Sequence, residues 1–426
     1  MDNDVSLSPK TKFGQGVIWT LLSFGVLSLS GILLNVGVGR FFGADALGIF
    51  NQVLAVYIFV SQLSVAGIHF SVLRKVSMGS SDPVRQNLDI TAGLLAVALI
   101  ALGVTLAGFL MADFVAAFFD SAEVSQGWLI VVPAIWFFSV NKVMLNMVNA
   151  FRRMKAFSVL QSLRYLLFLG GLAIAIPLRL SDAQLPAIVV GAEVILFVVS
   201  GLYCLTLFRP CLSSQTLSLM KGHVSFGMRS MLGGTLAELN TRIDILMLGF
   251  FASDTSVGIY SLASLLAEGV AQLPLVLRSN VNPIIAQLTS EASRSQLKQM
   301  VGRVLKISYF SMIVVGILSV CIFPVFVHLF MDNDEFVRSW LPFAILIVGV
   351  VAASGYIPFD MFLVQVGRPG YQTVFKASVV LSNVVFNAVL IPLYGLVGAA
   401  IATASAYVLS VFFLKYLSKK AIGITL

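Results

Sequence analysis

Charge is what this sequence has least of. Only 11% of its 426 residues are Asp, Glu, Lys or Arg, while 58% are apolar. A soluble domain of that size carries about 25% charged residues on its surface and throughout its loops, so a water-dissolved globule is excluded. Histidine is almost missing: His69, His223 and His328 are isolated and far apart, which leaves no zinc-binding spacing. Three cysteines, Cys204, Cys211 and Cys321, form neither a metal motif nor a disulfide framework. They lie in or beside apolar segments, where a thiol packs as a small inert group. No Gly-rich phosphate loop and no nucleophile motif occurs, so neither nucleotide-driven work nor a familiar covalent chemistry is encoded. Long polar loops are absent too. The longest connector, about 287–306, reads as an amphipathic or solvated segment, too short to fold alone.

What remains is apolar and periodic. Runs of about 20 or more apolar residues recur throughout, each long enough to cross a bilayer as a helix. Breaks at charged and Gly/Pro clusters predict twelve spans: 14–40, 47–72, 88–112, 127–150, 158–178, 186–208, 226–251, 257–286, 307–330, 339–366, 373–393 and 395–415. The polar tail MDNDVSLSPKTK precedes a run from Phe13 to Gly39 that is too long for a signal-peptide core and has no clear cleavage site. It is expected as the first membrane helix. The chain is thus an all-α polytopic membrane protein.

Net charge is +8, with 27 basic residues. Sorting them over the spans puts most on one side, among them Arg74, Lys75, Arg152, Arg153, Lys155, Lys298, Arg303, Lys419 and Lys420. The opposite loops hold Asp113, Asp120, Glu123, Asp332, Asp334 and Glu335. The positive-inside bias then predicts both termini in the cytoplasm. Anionic inner-leaflet lipid accounts for the positive charge without nucleic acid.

The chain also resembles itself. FFGADALGIF (41–50) returns as FFASDTSVGIY (250–260), Phe13-Gly14 as Phe226-Gly227, and Ile176-Pro177-Leu178 as Ile391-Pro392-Leu393. Two six-helix bundles are expected, 1–212 and 213–426. An even number of crossings makes them parallel repeats about an axis along the membrane normal, an arrangement suited to alternating access.

Seven ionisable residues stand out within predicted spans: Lys142, Glu238, Arg242, Asp244, Glu268 and Arg278 lie deep, and Asp360 sits toward the inner end of the tenth. A charge at the bilayer centre costs on the order of 3 kcal/mol on insertion scales, so each needs a reason. One reason is bracing. Glu238 and Arg242 have the spacing of a helical ion pair. Asp244, about 200° around a continuous helix from Arg242, would then need another partner, such as Arg278 of the next helix. The other reason is a wet cavity, in which Arg242, Arg278 and Lys142 meet an anion while Asp244, Glu238, Glu268 and Asp360 balance charge or carry a coupling ion. By the repeat, Asp244 corresponds to Asn35, which confines any ion site to the second half. Arg164, near a helix end, is read as snorkelling, and Glu193 as interfacial.

The passage NAVLIPLYGLVGAAIATASAYVLSVFFLKY (387–416) resembles polysaccharide flippases of the multidrug/oligosaccharidyl-lipid/polysaccharide exporter (MOP) superfamily, O-antigen (Wzx-like) flippases among them. RIDILMLGFFASDTSVGIYSLA (242–263) and GRFFGADALGIFNQVLAVY (39–57) are similar to that family's seventh and first helices with their exits. The resemblance implies a V-shaped, MATE-like pair of bundles in the bacterial inner membrane that carries polyprenyl-pyrophosphate-linked glycan units outward. It implies a lipid-linked oligosaccharide, H+ or Na+, and polysaccharide polymerase machinery as partners, with no cofactor and no enzyme activity. A multidrug exporter of the same superfamily is the competing reading. A membrane glycan polymerase or glycosyltransferase is a third, disfavoured by the short outer loops.

Overall fold

The computed structural model describes residues 9–79, 82–287, 294–331 and 333–423. These form helices α1 (Pro9–Val65), α2 (Ile68–Met78), α3 (Pro83–Leu110), α4 (Ala112–Phe119), α5 (Ala122–Ala150), α6 (Met154–Leu178) and α7 (Ala187–Cys204). They continue as α8 (Thr216–Asn240), α9 (Ile243–Phe251), α10 (Asp254–Gln287), α11 (Arg294–Phe330), α12 (Trp340–Ala353), α13 (Phe362–Gln365) and α14 (Pro369–Ile422). No strand occurs among the described residues.

Nine spans among them are long and apolar enough to cross a membrane. Two of these are double. Non-helical glycines split α1 at Gly43 (φ 97°) and α14 at Gly395 (φ 55°), backbone angles that Gly adopts without Cβ strain. Adding the crossing made jointly by α8 and α9, over about 226–251, recovers the twelve crossings expected. The expected connector at 287–306 is shorter than its sequence suggests: from Arg294 onward it already belongs to α11, burying Leu297 and Val301.

Side chains facing outward are those that only lipid would tolerate. Along α11, Phe310, Val314, Leu318, Ile322, Val325 and Leu329 are all exposed. Steps of three and four make them a continuous stripe, far larger than the apolar patches that soluble proteins leave uncovered.

The chain divides into two compact units. The first comprises residues 1–37 and 56–235. Its centre is α5, flanked by α2, α3 and α7, with Ile68, Val97, Val143, Met147 and Leu196 in its core. Helix α5 starts where the Ser121 side chain accepts a hydrogen bond from the Val124 amide, satisfying a donor that the first turn cannot. Trp128 and Trp136 donate to the Gly108 and Ala98 carbonyls of α3 at 2.8 and 3.0 Å, fastening the pair.

The second unit comprises residues 38–55 and 236–426. Here α12 crosses α14 where Gly349 meets Ala404: a Cβ on the glycine would lie 2.5 Å from the Ala404 Cα. The two halves of α14 also close on a glycine: a Cβ on the buried Gly398 would lie 2.0 Å from the Leu390 carbonyl oxygen. The two copies of the Gly-Ile repeat also meet in this unit. A Cβ on Gly48 would lie 1.8 Å from the Asp254 carbonyl oxygen, and one on Gly258 1.9 Å from that of Ala44. Each glycine therefore faces the carbonyl four residues before the other, a two-fold symmetric crossing that no larger residue permits. Gln52 donates to Asp254 at 2.6 Å, and Thr255 donates to Asp45.

A buried carboxylate beside a small polar cavity

The seventh crossing is broken. After Asn240, the last residue of α8, the polar pair Thr241-Arg242 interrupts the helix, as Asn and Thr favour when their side chains compete for backbone hydrogen bonds. Discontinuous helices of this kind expose unpaired backbone groups and build ion or substrate sites in transporters. Asp244 stands in the first turn of the short α9 that follows.

Asp244 is 6% exposed, and no base is among its hydrogen-bond partners. Its Oδ1 accepts from Asn383 Nδ2 at 2.9 Å and from Asn387 Nδ2 at 3.4 Å. Its Oδ2 accepts from Thr403 Oγ1 at 2.7 Å and from Tyr260 OH at 2.9 Å. Asn383 and Asn387 lie one turn apart on α14, Thr403 lies beyond the Gly395 kink, and Tyr260 comes from α10. Four donors around one acceptor suit an ionised carboxylate, yet a buried charge without a counter-charge costs several kcal/mol. A proton or a monovalent cation would supply what is missing. The Asn387 Oδ1 is buried without a hydrogen-bond partner. With Asp244, Asn383, Thr403 and Tyr260 it makes an oxygen-only donor set of single formal charge, which fits a hard monovalent cation. No group of three or more His, Cys, Asp or Glu suited to a metal occurs among the described residues.

A cavity of about 210 Å³ adjoins this cluster, lined by Asp244, Glu268, Gln272, Asn240, Thr403 and Tyr407 among others. Tyr260, Ser264, Glu268 and Gln272 repeat every four residues along α10, so one face of that helix forms the hydrogen bond to Asp244 and then the wall. Sites for drug-sized ligands span roughly 300–1,000 Å³. This one has room for several waters or a partly hydrated ion, and none for an oligosaccharide.

The seven predicted residues do not form a single site. Asp244 and Glu268 share the cavity; Arg242 is half-buried at the helix break beside them, and its charge acts on Glu268. Arg278 does not reach Asp244. It pairs with Asp360 at 3.0 Å, and Lys376 approaches the same carboxylate oxygen at 3.4 Å. The suggested Asp244–Arg278 partnership is therefore corrected: the broken helix turns Asp244 toward α14, whose amides saturate it. Lys142 belongs to the first unit, where it donates to Gln62 Oε1 at 2.5 Å and lies 5.7 Å from the Phe138 ring centroid. The Glu238 side chain lies outside the described residues.

Two further expectations change. Glu193 is not interfacial and Arg164 does not snorkel. Glu193 is 1% exposed and pairs with Arg164 at 2.7 Å, while Asn141 Nδ2 donates to it at 2.8 Å. Sequence reasoning missed Asn383, Asn387, Thr403 and Lys376. The available signal was the four-residue spacing of Asn383 and Asn387 within an otherwise apolar crossing.

The profile of the family described as polysaccharide biosynthesis protein matches residues 13–273, more than half of the chain. The protein belongs to that family. A second profile, MatE, matches residues 232–389, which contain α9, α10 and the two asparagines. No curated protein sequence matches. Among solved structures, the lipid II flippase MurJ in an inward closed conformation aligns with a TM-score of 0.77 at 14% identity, covering 95% of this chain and 87% of its own. An inward-facing multidrug resistance MATE family transporter of the MOP superfamily aligns at 0.71 and 14%, covering 93% and 96%. A MOP superfamily transporter from Pyrococcus furiosus, whose binding pocket is described as having reversed polarity, aligns at 0.57 and 13%, covering 97% of each chain. At these identities the likeness is one of fold: this multi-pass membrane protein has the MOP transporter fold.

Proposed function

We propose that the protein carries a lipid-linked oligosaccharide, a polyprenyl-pyrophosphate-linked glycan unit of O-antigen or another surface polysaccharide, from the inner to the outer leaflet of a bacterial inner membrane. It works by alternating access of two six-helix bundles, residues 1–212 and 213–426, with both termini in the cytoplasm and without enzyme activity. Membership of the polysaccharide biosynthesis family carries this reading, and the likeness to a lipid II flippase agrees with it. The head group needs such help because each desolvated sugar hydroxyl left without a partner costs about 1–3 kcal/mol. Arg242, Arg278 and Lys142 remain the candidates for the anionic head group.

The Asp244 cluster supplies the coupling. The sequence holds no nucleotide-binding loop, so the cycle draws on an ion gradient or on substrate supply. A cation at Asp244 would neutralise a buried charge shared by α9, α10 and both halves of α14, biasing how those helices pack. Sodium or a proton would serve, held by Asp244 with Asn383, Asn387, Thr403 and Tyr260. Glu268 on the cavity wall guides the ion inward.

Deleting the gene is expected to remove the matching surface glycan and to leave assembled lipid-linked units on the cytoplasmic leaflet, read by isotope labelling with leaflet-specific probes. Normal surface glycan with no accumulated intermediate refutes the proposal. A multidrug exporter is the second reading, favoured by the MatE match over residues 232–389. It predicts instead a drug-sensitive strain with unchanged glycan.

A further inference from the structure

Asp360 is held by two bases through one oxygen. Arg278 Nη1 lies 3.0 Å and Lys376 Nζ 3.4 Å from its Oδ2, with the two basic side chains 33% and 34% exposed. The other carboxylate oxygen, Oδ1, is buried and has no hydrogen-bond partner. Asp360 rides on a non-helical turn after the short 3-10 helix Ile357–Phe359 rather than inside a transmembrane helix. Its backbone carbonyl accepts from Gln372 Nε2 at 2.7 Å. Gln372 and Lys376, one turn apart on α14, thus grip the backbone and the side chain of the same residue. Among the described residues, two positive charges against one negative leave this cluster with a net positive charge, and the acid sits on a turn.

Its depth points to a ligand. Helix α10 runs unbroken from Asp254 to Gln287, and Arg278 is 24 residues beyond Asp254. At about 1.5 Å rise per residue that is about 36 Å, slightly more than the roughly 30 Å hydrocarbon core. With Asp254 at one interface, Arg278 reaches the phosphate level of the other leaflet. An anion arriving there within a lipid carries phosphate.

We infer that Arg278 and Lys376 form a lipid-phosphate site whose place is kept by Asp360, and that its ligand is the pyrophosphate diester of the lipid-linked substrate. The charge count selects that group. A pyrophosphate diester carries two negative charges and neutralises both bases once Asp360 swings away, whereas a phospholipid diester carries one. Arginine offers a planar fork for two phosphate oxygens, and lysine a mobile point charge for a third. When the pyrophosphate leaves, Asp360 re-occupies the bases, so release does not strand two unpaired cations. The substrate named here rests on the flippase reading; the placeholder does not.

The test uses the full-length protein in nanodiscs of neutral phosphatidylcholine, with a fluorescent polyprenyl-pyrophosphate-linked monosaccharide as probe and phosphatidylglycerol as competitor. Asp360→Asn is expected to bind the probe about tenfold more tightly, because it removes the internal competitor at the cost of one partly screened contact. Lys376→Ala and Arg278→Ala are expected to weaken binding by a similar factor, and Arg278→Lys by less. Unchanged or weaker binding by folded Asp360→Asn overturns the inference and makes Asp360 a brace. If that variant does not fold, undiminished binding by Lys376→Ala overturns it equally. Phosphatidylglycerol competing as well as the unlabelled pyrophosphate lipid rejects the charge argument and makes this a phospholipid site. All of these outcomes are independent of the deletion strain, which tests the flippase reading by itself.

Discussion

Replacing Asp244 with Asn should separate stability from ion response. The wild-type carboxylate accepts four hydrogen bonds. An amide keeps one acceptor oxygen and turns an NH2 group toward the other donors. Each donor left unsatisfied costs about 1–3 kcal/mol. Against this, the substitution removes a buried charge whose desolvation costs several kcal/mol. The opposing terms are similar, so Asp244→Asn should fold with a Tm close to that of the wild type. The ion response should differ. A cation at 100 times its Kd stabilises the state that binds it by about 2.7 kcal/mol. With an unfolding entropy of about 2.1 cal/mol/K per residue, a 426-residue chain would gain about 3 °C. The assay is thermal unfolding of purified protein in NaCl against choline chloride at constant ionic strength, at two pH values. Wild type should respond to sodium, or, if the proton is the coupling ion, to pH between two values above 7, and Asp244→Asn to neither. An equal response in both proteins refutes the assignment of the site, as does a wild type indifferent to both ions.

The other expectations concern the scaffold. Glu193→Ala strands the Arg164 guanidinium in the first unit and should cost about 3–5 kcal/mol, whereas Arg164→Met with Glu193→Leu should recover most of it; unfolding in detergent measures both. His223 lies just before the seventh crossing, bonded to Ser71 Oγ at 2.9 Å and to the Asp89 carbonyl at 3.0 Å. Burial first, and then Lys75, lowers its pKa from 6.5 to about 4. The unfolded chain therefore takes up a proton that the folded one refuses, so stability is complete above pH 6.5 and falls by about 3 kcal/mol toward pH 4. His223→Gln should flatten that slope. Gly48→Val places side-chain carbon where the Asp254 carbonyl stands, and should cost about 1–3 kcal/mol by overpacking and impair surface-glycan assembly; unchanged Tm and glycan would refute the close crossing.

How much of this could be read in the sequence depends on the range of the interaction. Crossings are local: about 20 apolar residues suffice, and all twelve were legible. The break at Gly43 falls in the expected loop and that at Gly395 on the first residue of the twelfth expected span, because glycine supplies the backbone angle without help from neighbours. The interruption at Thr241-Arg242 is not legible. Hydropathy is continuous over 226–251, and Asp244 faces away from Arg242 toward a basic partner on the next helix only if the helix is unbroken. Glu193 was misjudged for a related reason: distance along a helix gives its depth, but not which way the helix faces.

Asp244 itself stood out, since one carboxylate in a long apolar run is conspicuous. Its partners did not, because Asn, Thr and Tyr are common in membrane helices and acquire meaning only when they converge. Asn383 and Asn387 are 139 and 143 residues from Asp244, and Thr403 is 159. The internal repeat offers a partial way around that obstacle. At the offsets that align the two halves, Asp244 corresponds to Asn35, Tyr260 to Phe50, Asn383 to Phe168 and Asn387 to Leu172. Asn35 donates to the Gly31 carbonyl of its own helix at 2.9 Å, and the other counterparts are apolar. A duplicated scaffold needs the same packing residues in both copies, so polar positions present in one copy and apolar in the other are where it departs from symmetry. By that criterion Asn383 and Asn387 stand out together without knowledge of any contact, and Asp244 differs from its polar counterpart Asn35 in carrying a charge.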